Sequence, residues 1–292
     1  MKYKIESSDL SIQVNSIGME LSSILSKNSN QEYLWQGNPD FWTGQAPVLF
    51  PIIGALKNGQ MIYKGITYSL EKHGLVRNSS KPKLVSSGSN FLRFTLSWDE
   101  DSVSTYPFKF RLEIEFLLEG KTLEVKHHIS NEGNDLMLYS IGGHPAFNCP
   151  LHPDEKYEDY YLQFPKEETD ATCKIAPNGL IGLDRIPILK QTNKISLHSH
   201  LFDHDALVFK NLKSRKISLV NQTRGTILSM EYQDFNYLGI WAKPSAPFVC
   251  LEPWLGIADS VDTNQNFEDK EGLLKLAPGE SDQKSYSITI LD

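Results

Sequence analysis

"FKFRLEIEFLLEGKTLEVKHHIS", residues 108–130, alternates apolar and polar side chains along most of its length. Phe108, Phe110, Leu112, Ile114 and Phe116 fall on one face of an extended chain, with Lys109, Arg111, Glu113 and Glu115 on the other. That period of two is what a half-buried strand requires. After Glu119-Gly120-Lys121 the alternation resumes at Leu123, Val125, His127 and Ile129, so the stretch predicts a long β-hairpin.

Working outward, similar runs recur as "MIYKGITYSL", folded at Lys64-Gly65, and as "FLRFTLSW", "ALVFKNL", "KISLVNQ", "TILSMEY", "YLGIWAK", "FVCLEP" and "KSYSITIL". They are rich in Val, Ile, Tyr, Phe and Thr and are separated by Gly, Asn, Pro and Ser. The expected fold is all-β, a large antiparallel β-sandwich with few short helices. No linker, charge block, low-complexity segment or fixed-period repeat divides the chain, so residues 1–292 are expected to form a single domain. Residues 151–204 are the least regular: "LHPDEKYEDYYLQF" and "PNGLIGLDRIP" read as loops with short strands, of the kind that frame binding sites.

Composition narrows the function classes. Hydrophobic residues at 40% and charged residues at 22% suit a globular chain with a sizeable core, which removes disordered and fibrous classes. A net charge of −7 argues against a nucleic-acid or anionic-membrane binder, since either needs a basic surface. The opening "MKYKIESSDLSIQVN" lacks the apolar stretch of a signal peptide, and no run is long and apolar enough to span a membrane. A cytoplasmic location is expected. Cys149, Cys173 and Cys250 are odd in number and far apart, so no disulfide framework is expected.

Walker-type, G-x-G-x-x-G, H-E-x-x-H and G-x-S-x-G motifs are absent. The cluster "LHSHLFDHD", with His198, His200, Asp203, His204 and Asp205, has metal-capable residue types but loose spacing in a polar stretch, and no metal is assigned to it. His127 reads as a core histidine and His128 as a surface one. Three stretches remain in which an ionisable group ends a strand-like run beside Gly or Pro: "EKHGLVRNS" at 71–79, "GGHPAFN" at 142–148 and "CLEPWLGIAD" at 250–259. Judged by residue type alone, His73 could be a turn residue and Glu252 a strand-end carboxylate.

Together, "KHGLVRNS", "SIGGHPAFNCP" and "VCLEPWLGIADS", with "VLFPIIGALKNGQ" at 48–60, resemble the aldose 1-epimerase (galactose mutarotase) superfamily, in particular its LacX-type branch. The resemblance spans the whole chain. It implies the galactose mutarotase-like supersandwich with a sugar cleft on one sheet, and interconversion of the α and β anomers of an aldohexose. It implies no cofactor, a small-molecule sugar as partner, and catalysis by an acid and base pair. Glu252 matches the family's general base and His144 its general acid.

The resemblance places His73, Arg77 and Asp205 as substrate-binding residues, with Asp203 a rival to Asp205. It leaves Arg77 either on a sugar hydroxyl, on Glu252 or in a structural salt bridge, and Trp254 either stacked on the sugar or packed beneath the sheet. Gly142 and Gly143 are expected to let the backbone pass close to the sugar cleft. Where many relatives have an arginine, this chain has Ala55, with Lys57 the nearest cation. A hexose-6-phosphate mutarotase, and a catalytically silent carbohydrate-binding protein of the same fold, are the alternative readings. Homodimerisation is left open.

Overall fold

The computed structural model describes residues 1–291. Two large antiparallel sheets dominate it. One has nine strands, running from Ile181–Ser196 at one edge through Tyr160–Ile175, Lys216–Asn221, Gly225–Glu231, Ser281–Ile290, Thr122–Asn131, Phe110–Glu119 and Phe91–Ser97 to Lys83–Ser87. The other has six, with Phe248–Leu255 near its centre, flanked by Tyr237–Trp241 on one side and by Ile141–Gly143 and Ala146–Asn148 on the other. The chain has a single α-helix among the described residues, Glu100–Thr105.

The predicted hairpin is present, with Phe116 opposite Val125, Ile114 opposite His127 and Leu112 opposite Ile129. Those side chains are buried, while Arg111 and Glu119 stay exposed. The inner faces of the two sheets meet in one core. Phe50 packs on Phe110 at 4.9 Å between ring centroids, and the Tyr286 side chain reaches across to the backbone of Gly143. The turn predicted at Lys64-Gly65 has φ of 49° and 77°, the pair of positive values that a two-residue type I′ hairpin needs.

Residues 151–204 depart from expectation. They carry two 16-residue strands, Tyr160–Ile175 and Ile181–Ser196, which form an arm rather than loops with short strands. Only Tyr160–Gln163 pair with the neighbouring strand of the sheet, and the rest of the arm runs past the sheet edge. There its inner face is polar. Glu168 accepts from the backbone N–H groups of Lys213 and Ser214, Asp170 from Asn211, and Thr172 Oγ1 from Val208. These three alternate side chains stand in for a strand ladder, so positions 168, 170 and 172 lack the apolar residues that would have signalled a buried face, although Leu189, paired with Asp170, is buried beside them.

Candidate active site

A cavity of about 880 Å³ opens on the six-stranded sheet and is roofed by the arm. Glu252 lies in mid-strand, within Phe248–Leu255, rather than at a strand end. Every residue of that strand is buried, as befits a central strand covered on both faces. His144 sits in the break between Ile141–Gly143 and Ala146–Asn148, its N–H held by the Pro47 carbonyl at 3.1 Å. Although 108 positions separate the two residues, His144 Nε2 lies 3.2 Å from Glu252 Oε2.

Burial governs the charge of this pair. It holds the Glu252 carboxyl well above the usual range, with Asp205 adding to the rise and Lys72 opposing it. It also pushes the His144 imidazole down to about 3, with Arg77 and Lys72 acting in the same sense. Both shifts favour the uncharged forms. The pair is thus biased toward a carboxylic acid beside a neutral imidazole, with one proton in the contact between them.

The structure explains Gly142 and Gly143 differently from the sequence reading. A Cβ at Gly143 would lie 2.7 Å from Tyr286 Oη, and one at Gly142 would lie 2.8 Å from both the Pro253 carbonyl oxygen and Trp254 Cδ1. Gly143 admits a core side chain from behind the strand, while Gly142 makes room for Trp254 on the cavity face. Trp254, two residues on from Glu252 and on the same face of the strand, lines the cavity and covers Gly142 and Gly239, so its ring forms part of the cavity floor.

His73 lies at a positive φ of 69° and is buried. Its Nδ1 accepts from the Gly54 N–H at 3.2 Å, which puts the ring proton of the neutral imidazole on Nε2. Burial, with His144 beside it, holds the ring well below its ordinary pKa. Its ring stands edge-on to His144 at 5.8 Å.

Arg77 lines the cavity and lies over the Trp42 ring at 5.9 Å. Among the described residues it makes no ion pair, so it neither clamps Glu252 nor forms a structural salt bridge. Asp205 and Asp203 both line the cavity. Asp203 is engaged by His200 Nδ1 at 2.9 Å, whereas Asp205, at a φ of 76°, bonds, among the described residues, only the adjacent Ala206 N–H through its side chain and acts electrostatically on Glu252. The 198–205 histidines do not converge. The ligand-type atoms that do lie within 4.8 Å of one another belong to His144, Cys250 and Glu252, and burial holds the Cys250 thiol well above its usual pKa.

Sequence reasoning missed two contributors. Trp42 stacks on His144 at 4.9 Å and 29° and stands edge-on to Trp241. Its setting in "NPDFWTGQAP", a large aromatic in a Gly- and Pro-rich loop, was the available signal. Lys72, next to His73, faces the cavity, while Lys57 turns away to donate to the Thr263 carbonyl at 3.2 Å. The Lys72 ammonium and the Ala55 methyl lie 3.9 Å and 3.8 Å from the place a Cβ on Gly179 would occupy, so Lys72 supplies a cation beside the position where Ala55 has none.

The sequence profile described as aldose 1-epimerase matches residues 1–289. The chain is 37% identical to the protein LacX of Lactococcus lactis subsp. lactis, in its plasmid and chromosomal forms, over 100% of both chains. Among solved structures, a galactose mutarotase related enzyme from Lactobacillus acidophilus matches with a TM-score of 0.95 at 32% identity, covering 100% of this chain and 98% of that one. A galactose mutarotase-like protein from Lactobacillus casei matches with a TM-score of 0.93 at 27% identity over 100% of both.

Proposed function

Because the chain belongs to the aldose 1-epimerase family, we propose that it interconverts the α and β anomers of a free aldohexose, with Glu252 as general base and His144 as general acid. The observation that supports this reading is the buried His144–Glu252 contact of 3.2 Å on the wall of the cavity. Ring opening needs a base for the C1 hydroxyl proton and an acid for the ring oxygen, both within hydrogen-bond reach of one sugar. The base-ready form has the pair's single proton on His144 rather than on Glu252, and the two forms differ by one transfer along that contact.

Glu252 then takes the C1 hydroxyl proton while His144 gives its own to the ring oxygen. Rotation about C1–C2 and closure on the opposite face run the same steps with the roles exchanged. His73, with its ring proton on Nε2, donates to a sugar oxygen, and Asp205 and Arg77 accept from and donate to hydroxyls. Trp42 holds the His144 ring plane.

One observation favours a phosphorylated aldose as the substrate. Lys72 and Arg77 both line the cavity and neither makes an ion pair among the described residues, which leaves two cations for a phosphate. NMR exchange between the anomers of glucose, galactose and their 6-phosphates tests both readings. Wild type is expected to accelerate equilibration of at least one of these. Sugar binding without acceleration of any of them returns the silent carbohydrate-binding reading.

A further inference from the structure

Asp259, the last residue of "CLEPWLGIAD", takes no part in the proton transfers, yet it is 5% exposed and fully engaged. Its Oδ1 accepts from Lys270 Nζ at 2.8 Å, and Lys270, itself buried, also donates to the Ile257 carbonyl. Its Oδ2 accepts from the Lys57 N–H at 2.9 Å. Its own N–H donates to the Ala55 carbonyl at 2.9 Å, and its carbonyl accepts from the Ile181 N–H at the arm tip at 2.8 Å.

These bonds converge on the 54–57 turn. Ala258 seats against bare Gly54, where a Cβ would lie 2.5 Å from the Ala258 methyl. Gly54 in turn grips His73 twice: its N–H donates to His73 Nδ1 at 3.2 Å, and its carbonyl accepts from the His73 N–H at 2.9 Å. We propose that Asp259, anchored by Lys270, is a positioning residue for His73. Through the Ala55 carbonyl and the Lys57 N–H it fixes the Gly54 N–H, and so keeps the His73 ring proton on Nε2, the nitrogen left for a ligand. The role deepens the mutarotase reading, and its kinetic consequences rest on that reading.

Asp259→Asn keeps the shape but offers one oxygen to two donors, so its amide nitrogen must face either Lys270 or the Lys57 N–H. Lys57→Pro is a milder probe. It removes the N–H to Asp259 Oδ2, and Leu56, extended at φ −89° and ψ 148°, already has the conformation a following proline demands. Histidine-selective ¹⁵N NMR reads the tautomer directly.

Wild type is expected to show His73 as a single Nε2–H form, and both variants a mixture of forms with native near-UV circular dichroism. A wild-type ring protonated on Nδ1, or an unchanged His73 spectrum in either folded variant, overturns the proposal; if Asp259→Asn does not fold, Lys57→Pro and the wild-type spectrum still decide it. In kinetics, Asp259→Asn should lower kcat/KM about 5- to 10-fold, the effect of one weakened hydrogen bond. In a His73→Gln background it should cause no further loss, and a full multiplicative loss there counts against the role. If wild type fails to speed anomer exchange, the mutarotase reading falls while the NMR comparison stands.

Discussion

Replacing Glu252 by glutamine separates the chemistry of the His144–Glu252 pair from its contribution to the fold. Glutamine cannot take the C1 hydroxyl proton, so kcat should fall by about 10²- to 10⁴-fold, or roughly 3 to 5 kcal/mol of barrier. At about pH 4.5, before the pH dependence of Glu252 sets in, stability should barely change. At rest the carboxylic acid donates to neutral His144 across 3.2 Å, and the glutamine amide can donate the same bond, one neutral hydrogen bond for another. The expected difference is about 1 kcal/mol or less, a Tm shift of about 2–4 °C at most.

A resting ion pair predicts something else. Removing one of two buried charges would strand the other at a cost of about 3–5 kcal/mol, lowering Tm by about 10 °C. The pH dependence has a definite sign. The folded-state pKa of Glu252 is raised above its ordinary 4.5, so between those two values the folded protein binds more protons than the unfolded chain, and wild-type stability falls as pH rises. Glutamine lacks that slope, so the variant should gain on wild type as pH rises above 4.5. Calorimetry and anomer-exchange NMR on both proteins decide the matter. A Tm drop near 10 °C, or a kcat within a few-fold of wild type, refutes the neutral-pair argument or the base assignment respectively.

Three other outcomes are expected. Burial holds His127 at about 4 against an ordinary 6.5, so the folded state refuses a proton that the unfolded chain takes, and stability is lost as pH falls from 6.5 toward 4. His127→Leu should remove about 3 kcal/mol of that acid loss, measured by denaturant unfolding at pH 7 and pH 4. Asp205→Asn should raise KM about 10-fold and Asp203→Asn by less than about 2-fold, because Asp203 is engaged with His200. Steady-state anomerisation kinetics would show an effect of the reverse order if Asp203 were the residue that orients the sugar. If the substrate carries a phosphate, Lys72→Met should raise KM for the phosphosugar about 10-fold or more beyond its effect on the free sugar; equal effects on both return the unphosphorylated reading.

Much of the sandwich was legible because its strands have one apolar and one polar face, as at 108–130, and because Lys64-Gly65 supplies the positive φ values of a tight turn. The arm was not legible. Its inner positions Glu168, Asp170 and Thr172 are buried polar residues bonded to backbone N–H groups, so the alternation that marks a half-buried strand runs there in polar residues. His144, His73 and Glu252 stood out by residue type and flanking Gly or Pro, but only their likeness to a family pattern paired them, since a contact across 108 positions leaves no local trace. Trp42 and Lys72 enter the site from loops, where periodicity carries no information. Glu252 read as a strand end because Pro253 follows it, yet the strand continues through Leu255.

The arm has one more consequence. It is rooted in the nine-stranded sheet at Tyr160–Gln163, and its tip is moored where Ile181 donates to the Asp259 carbonyl and accepts from the Val261 N–H. Mechanically it is a bridge with intermediate piers at Glu168, Asp170 and Thr172 rather than a cantilever, and the irregular register between Cys173 and Ile175 lies beyond the last pier, where the arm reaches the cavity. A residue added or removed at that irregularity changes the headroom over the cavity while the root, the piers and the tip hold. The span is thus a place where substrate size can be altered without disturbing the His144–Glu252 contact below it.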